Sequence, residues 1–340
     1  MKRFFAIIVA VLSVMTAMSQ SSGIILSFNK GEQLKYYKYD QIGQAVNDAE
    51  VNDTIYFGTG EFNLRSLPEH GSSSYRCINK PLVFIGSGAH DGGTKFTNDY
   101  ASRIYLKVDS LMDESKRIFS FEGISIDGST VVPHSNIKQL KFSNTKIETI
   151  RDRVQGEKIE EHPYIDELIV DRCSIQNLRL DSCLTKHVSV NNSKLQHVYG
   201  GCDSSTGVAA FDHCYINYLQ GNCIGLVQHS IIYSASYTGS QTSLENCQYR
   251  DVNSAVMKDE CTQISGNVNI DDLDNDPSSL GMCNDGTLYG TLGGKTPYTL
   301  YPSYPTADTS VDPDTNKAKS NVDYDDLNKK LTITVKRLGE

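Results

Sequence analysis

The chain has 340 residues, a formal net charge of −9, nine cysteines, 19 tyrosines and no tryptophan. That acidic balance argues against nucleic acid as a partner, because a phosphate backbone is met by clustered cationic charge. After the first twenty residues no apolar run is long enough to span a bilayer, so no transmembrane segment is expected in the mature chain.

In chain order, Lys2 and Arg3 precede an apolar run from Phe4 to Val14, followed by Ala17-Met18-Ser19. That is the layout of a secretory signal peptide over residues 1–19, with cleavage before Gln20. It predicts export to the periplasm, the outer cell surface or the medium. A strand-like run follows from Gly23 to Phe28. Ile42, Ala45, Val46 and Ala49 then repeat at i, i+3, i+4, i+7, one face of a short helix that Asp40 can cap. Val51 to Phe62 reads as turn, strand, turn, strand. A helix placed before the first strand would cover a sheet edge otherwise open to another chain.

Seven stretches between Phe119 and Tyr249 share one pattern: apolar–x–apolar, two polar residues, a small residue, a spacer and another apolar residue. The small-residue slot holds Ile124, Thr145, Cys173, Ser193, Cys214, Ser230 and Cys247, at intervals of 16 to 28 residues. Repeats of that length, built from short strands and tight turns, signal a solenoid. The slot before the small residue holds Gly123, Asn144, Arg172, Asn192, His213, His229 and Asn246. Gly, Asn and His best tolerate a left-handed backbone, so a bend between two strands is predicted there. Cys173, Cys214 and Cys247 share the small-residue slot with Ser and Thr, and Cys183, Cys202 and Cys223 form a second column. This spacing favours stacked free thiols over a disulfide framework.

The run from Ile42 to Phe62, with Asn52-Asp53-Thr54-Ile55 where Gly-Asp-Thr-Ile is usual, resembles the N-terminal cap and first coil of pectate-lyase-like right-handed parallel β-helices. The later repeats resemble that superfamily's coil pattern. Asp285-Gly286-Thr287 to Gly290, with Gly293-Gly294-Lys295-Thr296-Pro297-Tyr298, is similar to a closing motif of secreted bacterial members. The resemblance implies an all-β fold: a right-handed, single-stranded parallel β-helix over 20–305 with an N-terminal capping helix. Residues 306–340 would form a linker and a C-terminal strand extension. A charged insertion, 151–163, and a segment at His70 to Tyr75 should leave the coil as loops.

The family's hydrolases, lyases and esterases each need a recognisable set of acids and bases, and no such set aligns. A divergent lyase or hydrolase site would draw on Asp171, Asp212, His213, His229 and Glu245, where two histidines fall in one slot of adjacent coils. The same histidines with Asp212 suit a metal, or simply fill turn positions. Asp272, Asp274 and Asp276 have the first ligand spacing of a calcium loop, but Pro277 and Cys283 stand where Gly and Glu are needed. Calcium is therefore the one cofactor worth naming, against a plain solvated acidic loop. Outward Tyr218 and Tyr233 suit contact with a sugar ring. The sequence expectation is an exported, non-catalytic binder of a polysaccharide or cell-surface glycan. A divergent polysaccharide lyase or glycoside hydrolase, and a structural adhesin that binds protein, are the alternatives.

Overall fold

The computed structural model describes residues 23–27, 34–97, 103–152, 163–180, 184–200, 208–221, 225–236, 242–253, 257–265 and 276–300, with short strands beyond 310. The body is a parallel β-helix. One sheet has 12 strands and a second has 13, and each turn of the chain adds a strand to both. The sequence dictates this through its alternation. Along each strand every second residue is apolar and buried, so one face points into the coil and the other to solvent.

Stacking then files equivalent side chains above one another. In the first sheet Phe84, Phe121, Phe142, Val170, Val190, Phe211, Val227 and Leu244 are successive partners. All are essentially buried. In the second sheet Phe96, Ile126, Ile147, Ile175, Leu195, Ile216, Ile232 and Tyr249 follow in the same way. No single coil could enclose these columns, and burial accumulates only as neighbours stack about 4.8 Å apart. The rings of Phe84 and Phe121 are stacked at 5.0 Å and those of Phe121 and Phe142 at 5.3 Å.

The long strand Ile124–Pro133 joins two columns of the second sheet. Its first part pairs with Thr94–Thr97 and its last part with Arg103–Leu106, and its register shifts between Ile126 and Thr130. That irregularity bends the wall of the coil.

At the N-terminal end, helix α1 (Ile42–Asp48) buries Ile42, Ala45 and Val46 as its spacing predicts. Gln41, not Asp40, takes the N-cap position, and no side-chain cap bond forms there. The Gln41 amide oxygen instead accepts from the Lys38 N–H. Gly43 is required by proximity, since a Cβ would lie 1.8 Å from the Ser66 carbonyl oxygen. Strands Gly23–Ser27 and Leu34–Lys38 form an antiparallel pair that continues the first sheet beyond Thr54–Phe57. Asn52 has φ 66°, which explains why Asn stands where the resemblance expects Gly.

The segment expected as a loop at His70 to Tyr75 is largely strand. Glu69–His70 turns back antiparallel on Ser72–Ile78, which joins the second sheet. At the far end Val322–Asp325 and Lys330–Ile333 form an antiparallel hairpin. Most of the charged insertion, and Cys183, Cys202 and Cys223, lie outside the described residues. Among the described residues no helix is long and apolar enough to cross a membrane.

Candidate functional site

The site is built on the bend between the two sheets. All seven bend residues have positive φ: Gly123 63°, Asn144 51°, Arg172 54°, Asn192 46°, His213 49°, His229 48° and Asn246 47°. Glu260, at 51°, adds an eighth bend that the repeat pattern did not reveal. One such residue per coil makes a column of side chains along the axis. The small slot beside it does more than save space. The hydroxyls of Ser193 and Ser230 and the thiols of Cys173, Cys214 and Cys247 each donate to the carbonyl two residues back, at 2.6–3.3 Å. Ser193 and Ser230 also accept the backbone N–H of Cys173 and Cys214 in the preceding coil. Ser, Thr and Cys interchange there because each supplies one small donor. Cys173, Cys214 and Cys247 are buried thiols outside any disulfide, as the spacing indicated.

The bend column is covered by the chain's own C-terminal segment. Residues 284–300 run back along it as a strap. Asn246 Oδ1 accepts the Asn284 N–H at 3.0 Å. The Gly290 N–H donates to the His229 carbonyl at 2.9 Å. Asn192 Nδ2 donates to the carbonyls of Gly293 at 2.7 Å and Thr291 at 3.3 Å. Asn144 Nδ2 donates to Thr299 at 2.8 Å, and the Ala89 N–H reaches the Leu300 carbonyl at 2.8 Å. Gly293 and Gly294 are needed where the strap crosses His213. A Cβ on Gly293 would lie 1.8 Å from the Leu288 carbonyl oxygen and 2.4 Å from the His213 ring, and Gly294 has φ 69°.

Asp212, His213 and His229 meet under this strap. Asp212 Oδ1 lies 3.0 Å from His213 Nδ1 and 2.7 Å from His229 Nδ1. The two rings are 4.8 Å apart and tilted by 33°. On their far sides, His213 Nε2 is 2.8 Å from Thr287 Oγ1 and His229 Nε2 is 2.8 Å from Asn284 Oδ1. His213 is buried, and Asp212 keeps a side open to solvent. Burial lowers the His229 pKa, but hydrogen bonds to Asp212 and Asn284 outweigh it and hold it above the ordinary value. Burial raises that of Asp212, yet the two imidazoles bring it below the usual carboxylate range. Asp285 is also held low, with burial opposed by the N–H and hydroxyl of Thr287 and by both histidines.

The remaining sequence candidates do not join this cluster. Asp171 and Glu245 each stand two coils from Asp212 in the same column, about 10 Å away at the spacing of stacked strands. Asp171 is held by the Arg172 guanidinium, and Glu245 accepts from Gln228. Asp272 and Asp274 lie outside the described residues. Asp276 caps a short 3-10 turn by accepting from Ser278.

Tyr218 is 42% exposed, as expected for an outward position. Tyr233 is half-buried and packs against a small cluster of Tyr215, Ile231, Cys283 and Tyr289. Tyr218 and Tyr233 meet edge to face at 6.0 Å. The sequence reading missed their neighbours. His197 stacks on Tyr218 at 5.1 Å and on Tyr199 at 5.8 Å, while Arg179 and Arg250 lie over Tyr199 and Tyr233. The signal was present for two of these contacts, because Arg179 and Tyr199, and His197 and Tyr218, share register positions in successive coils. A scan against protein-family models, a search of curated proteins and a search of solved structures each find no match to this chain.

Proposed function

We propose that this is an exported, non-catalytic β-helix protein that binds a glycan or related cell-surface polymer along the outer face of its second sheet. The observation that carries the reading is the strip Arg179–Tyr199–His197–Tyr218–Tyr233–Arg250, which crosses successive coils. The faces of His197, Tyr199 and Tyr218 are turned on one another, with interplanar angles of 8–9°. Tyr218 is exposed and the other five residues are half-buried, so the strip combines aromatic rings with cationic groups, a set suited to the hydroxyls and carboxylates of an acidic polysaccharide. The repeat along the coil axis suits an extended polymer better than a small compact ligand.

The non-catalytic part rests on the Asp212–His213–His229 cluster. Its imidazoles are engaged by the chain's own Asn284 and Thr287, so the groups best placed for acid–base work hold the strap. Export rests on the signal-like segment at residues 1–19, and the resemblance to pectate-lyase-like β-helices favours a polymeric carbohydrate as ligand.

A glycan array read for both retention and cleavage tests this. The expected result is retention of acidic glycans with no new reducing or unsaturated ends, and at least tenfold weaker retention by Tyr218→Ala with Arg250→Ala. Cleavage of any array member would replace this reading with the lyase or hydrolase alternative. Capture of protein but no glycan would replace it with the adhesin.

A further inference from the structure

We infer that Asp212, His213 and His229 form a site for one divalent transition-metal ion of the zinc class, which locks the C-terminal strap to the coil. The hydrogen-bond network assigns the ring protons. Asn284 Nδ2 points to Glu260 Oε2 at 3.4 Å, which turns its Oδ1 to His229. An oxygen acceptor requires that His229 Nε2 carry a proton. Thr287 Oγ1 donates its one hydrogen to Asp285 Oδ1 at 2.8 Å and accepts the Gly294 N–H at 2.9 Å. It can therefore only accept from His213, so His213 Nε2 carries a proton as well.

With both Nε2 atoms protonated, neutral rings would turn two Nδ1 lone pairs on one carboxylate oxygen. Three electron-rich atoms would then converge on the same small space. Protonated rings that donate to the carboxylate satisfy this arrangement, and so does one divalent cation seated between the three atoms.

The geometry suits the cation. The three ligand atoms lie within 4.8 Å of one another. Zinc bonds of about 2.0–2.2 Å in a tetrahedron separate ligands by about 3.4 Å. The 2.7 and 3.0 Å contacts to Asp212 Oδ1 are shorter than that spacing, so the side chains must rotate apart to admit the ion. A ligating histidine typically donates its other ring N–H to an oxygen that fixes its orientation, and both rings have such a partner on the strap. Two imidazoles and a carboxylate suit zinc, cobalt or nickel rather than calcium. Thr287 and Asn284 would anchor the ligands from the strap, so an ion bound to the coil also fastens residues 284–294.

The test uses tag-free full-length protein, stripped with chelator and titrated with zinc by calorimetry and with cobalt by visible absorption. The expected result is one ion per chain, a tetrahedral cobalt spectrum, and slower proteolysis of the strap when zinc is present. His213→Asn with His229→Asn keeps the fold, because Asn occupies the same bend slot in three other coils. It should lose at least 100-fold in affinity. Asp212→Asn, which leaves both histidines in place, should lose tenfold or more. A wild-type chain with no saturable site overturns the inference. So does a variant, folded by circular dichroism, that binds zinc as tightly as wild type.

Discussion

Asn192 is the most informative single position for the strap. It is 4% exposed, holds φ 46°, and donates to the Gly293 and Thr291 carbonyls. Thr291 keeps a second donor, the Tyr298 N–H at 2.8 Å, so the main loss on truncation falls on the buried Gly293 oxygen. An unsatisfied buried acceptor costs about 1–3 kcal/mol. Alanine adds the left-handed penalty of about 1–2 kcal/mol, part of which asparagine already bears, whereas glycine bears none. Both Asn192→Ala and Asn192→Gly should therefore weaken strap docking by about 1–3 kcal/mol, while the added penalty of alanine falls on the coil, whose bend is left-handed whether or not the strap is docked. Because a strap can open without the coil unfolding, the assay is limited proteolysis with mass mapping alongside urea denaturation. Cleavage within 284–300 should rise in both variants, and the urea midpoint should fall further in Asn192→Ala than in Asn192→Gly. Equal cleavage in all three, with unchanged denaturation midpoints, would show that Asn192 does not hold the strap.

Other outcomes follow from the same structure. Phe121→Ala removes a ring stacked between Phe84 and Phe142 in the buried column and should cost about 3–5 kcal/mol in chemical denaturation. A loss below about 1 kcal/mol would contradict the stacked column. Cys214→Ser should change stability by less than about 1 kcal/mol, since serine makes the same backward bond in two other coils, while Cys214→Leu overpacks the slot at about 1–3 kcal/mol. In alkylation followed by peptide mapping, Cys261 should react before Cys173. A hydrogen bond from Cys247 pulls the half-buried Cys261 thiol below the usual range, whereas burial pushes Cys173 up to about 12. As pH rises through neutrality Cys261 becomes thiolate and Cys173 does not; equal rates would count against this pairing.

Much of the coil was legible in the sequence because its constraints are local and repeat. A left-handed bend admits few residue types cheaply, so Asn, Gly and His in one slot mark it. Arg172 was recovered only by its place in the repeat. The eighth coil escaped because Lys258 and Gln263 stand at register positions that hold Leu244 and Tyr249 one coil earlier. With apolar residues absent from those slots, the pattern ends one coil before the bend column does. Strand Leu34–Lys38 gave no signal either, since its side chains are mostly exposed and alternation carries no information there.

The cluster itself was half legible. Two histidines in one slot of adjacent coils must lie close, and Asp212 beside them follows. Their partners on the strap come from residues 55 and 74 positions away, through bonds that leave no periodic trace. Asp171 and Glu245 looked equivalent to Asp212 because the column repeats. Only distance along the axis, which a sequence does not display, separates them. The aromatic strip was seen at two of its members because its other residues change type from coil to coil.

The bend column grips residues 284–300 of its own chain. Hydrogen-exchange mass spectrometry on the full-length protein tests it most directly. The hydrogen-bonded amides of Asn284, Gly290, Gly293 and Gly294 should exchange far more slowly than an open chain, though faster than the strands Thr185–Asn191 and Lys194–Gly200. Exchange of that segment at the rate of an open chain, beside protected strands, would contradict the account.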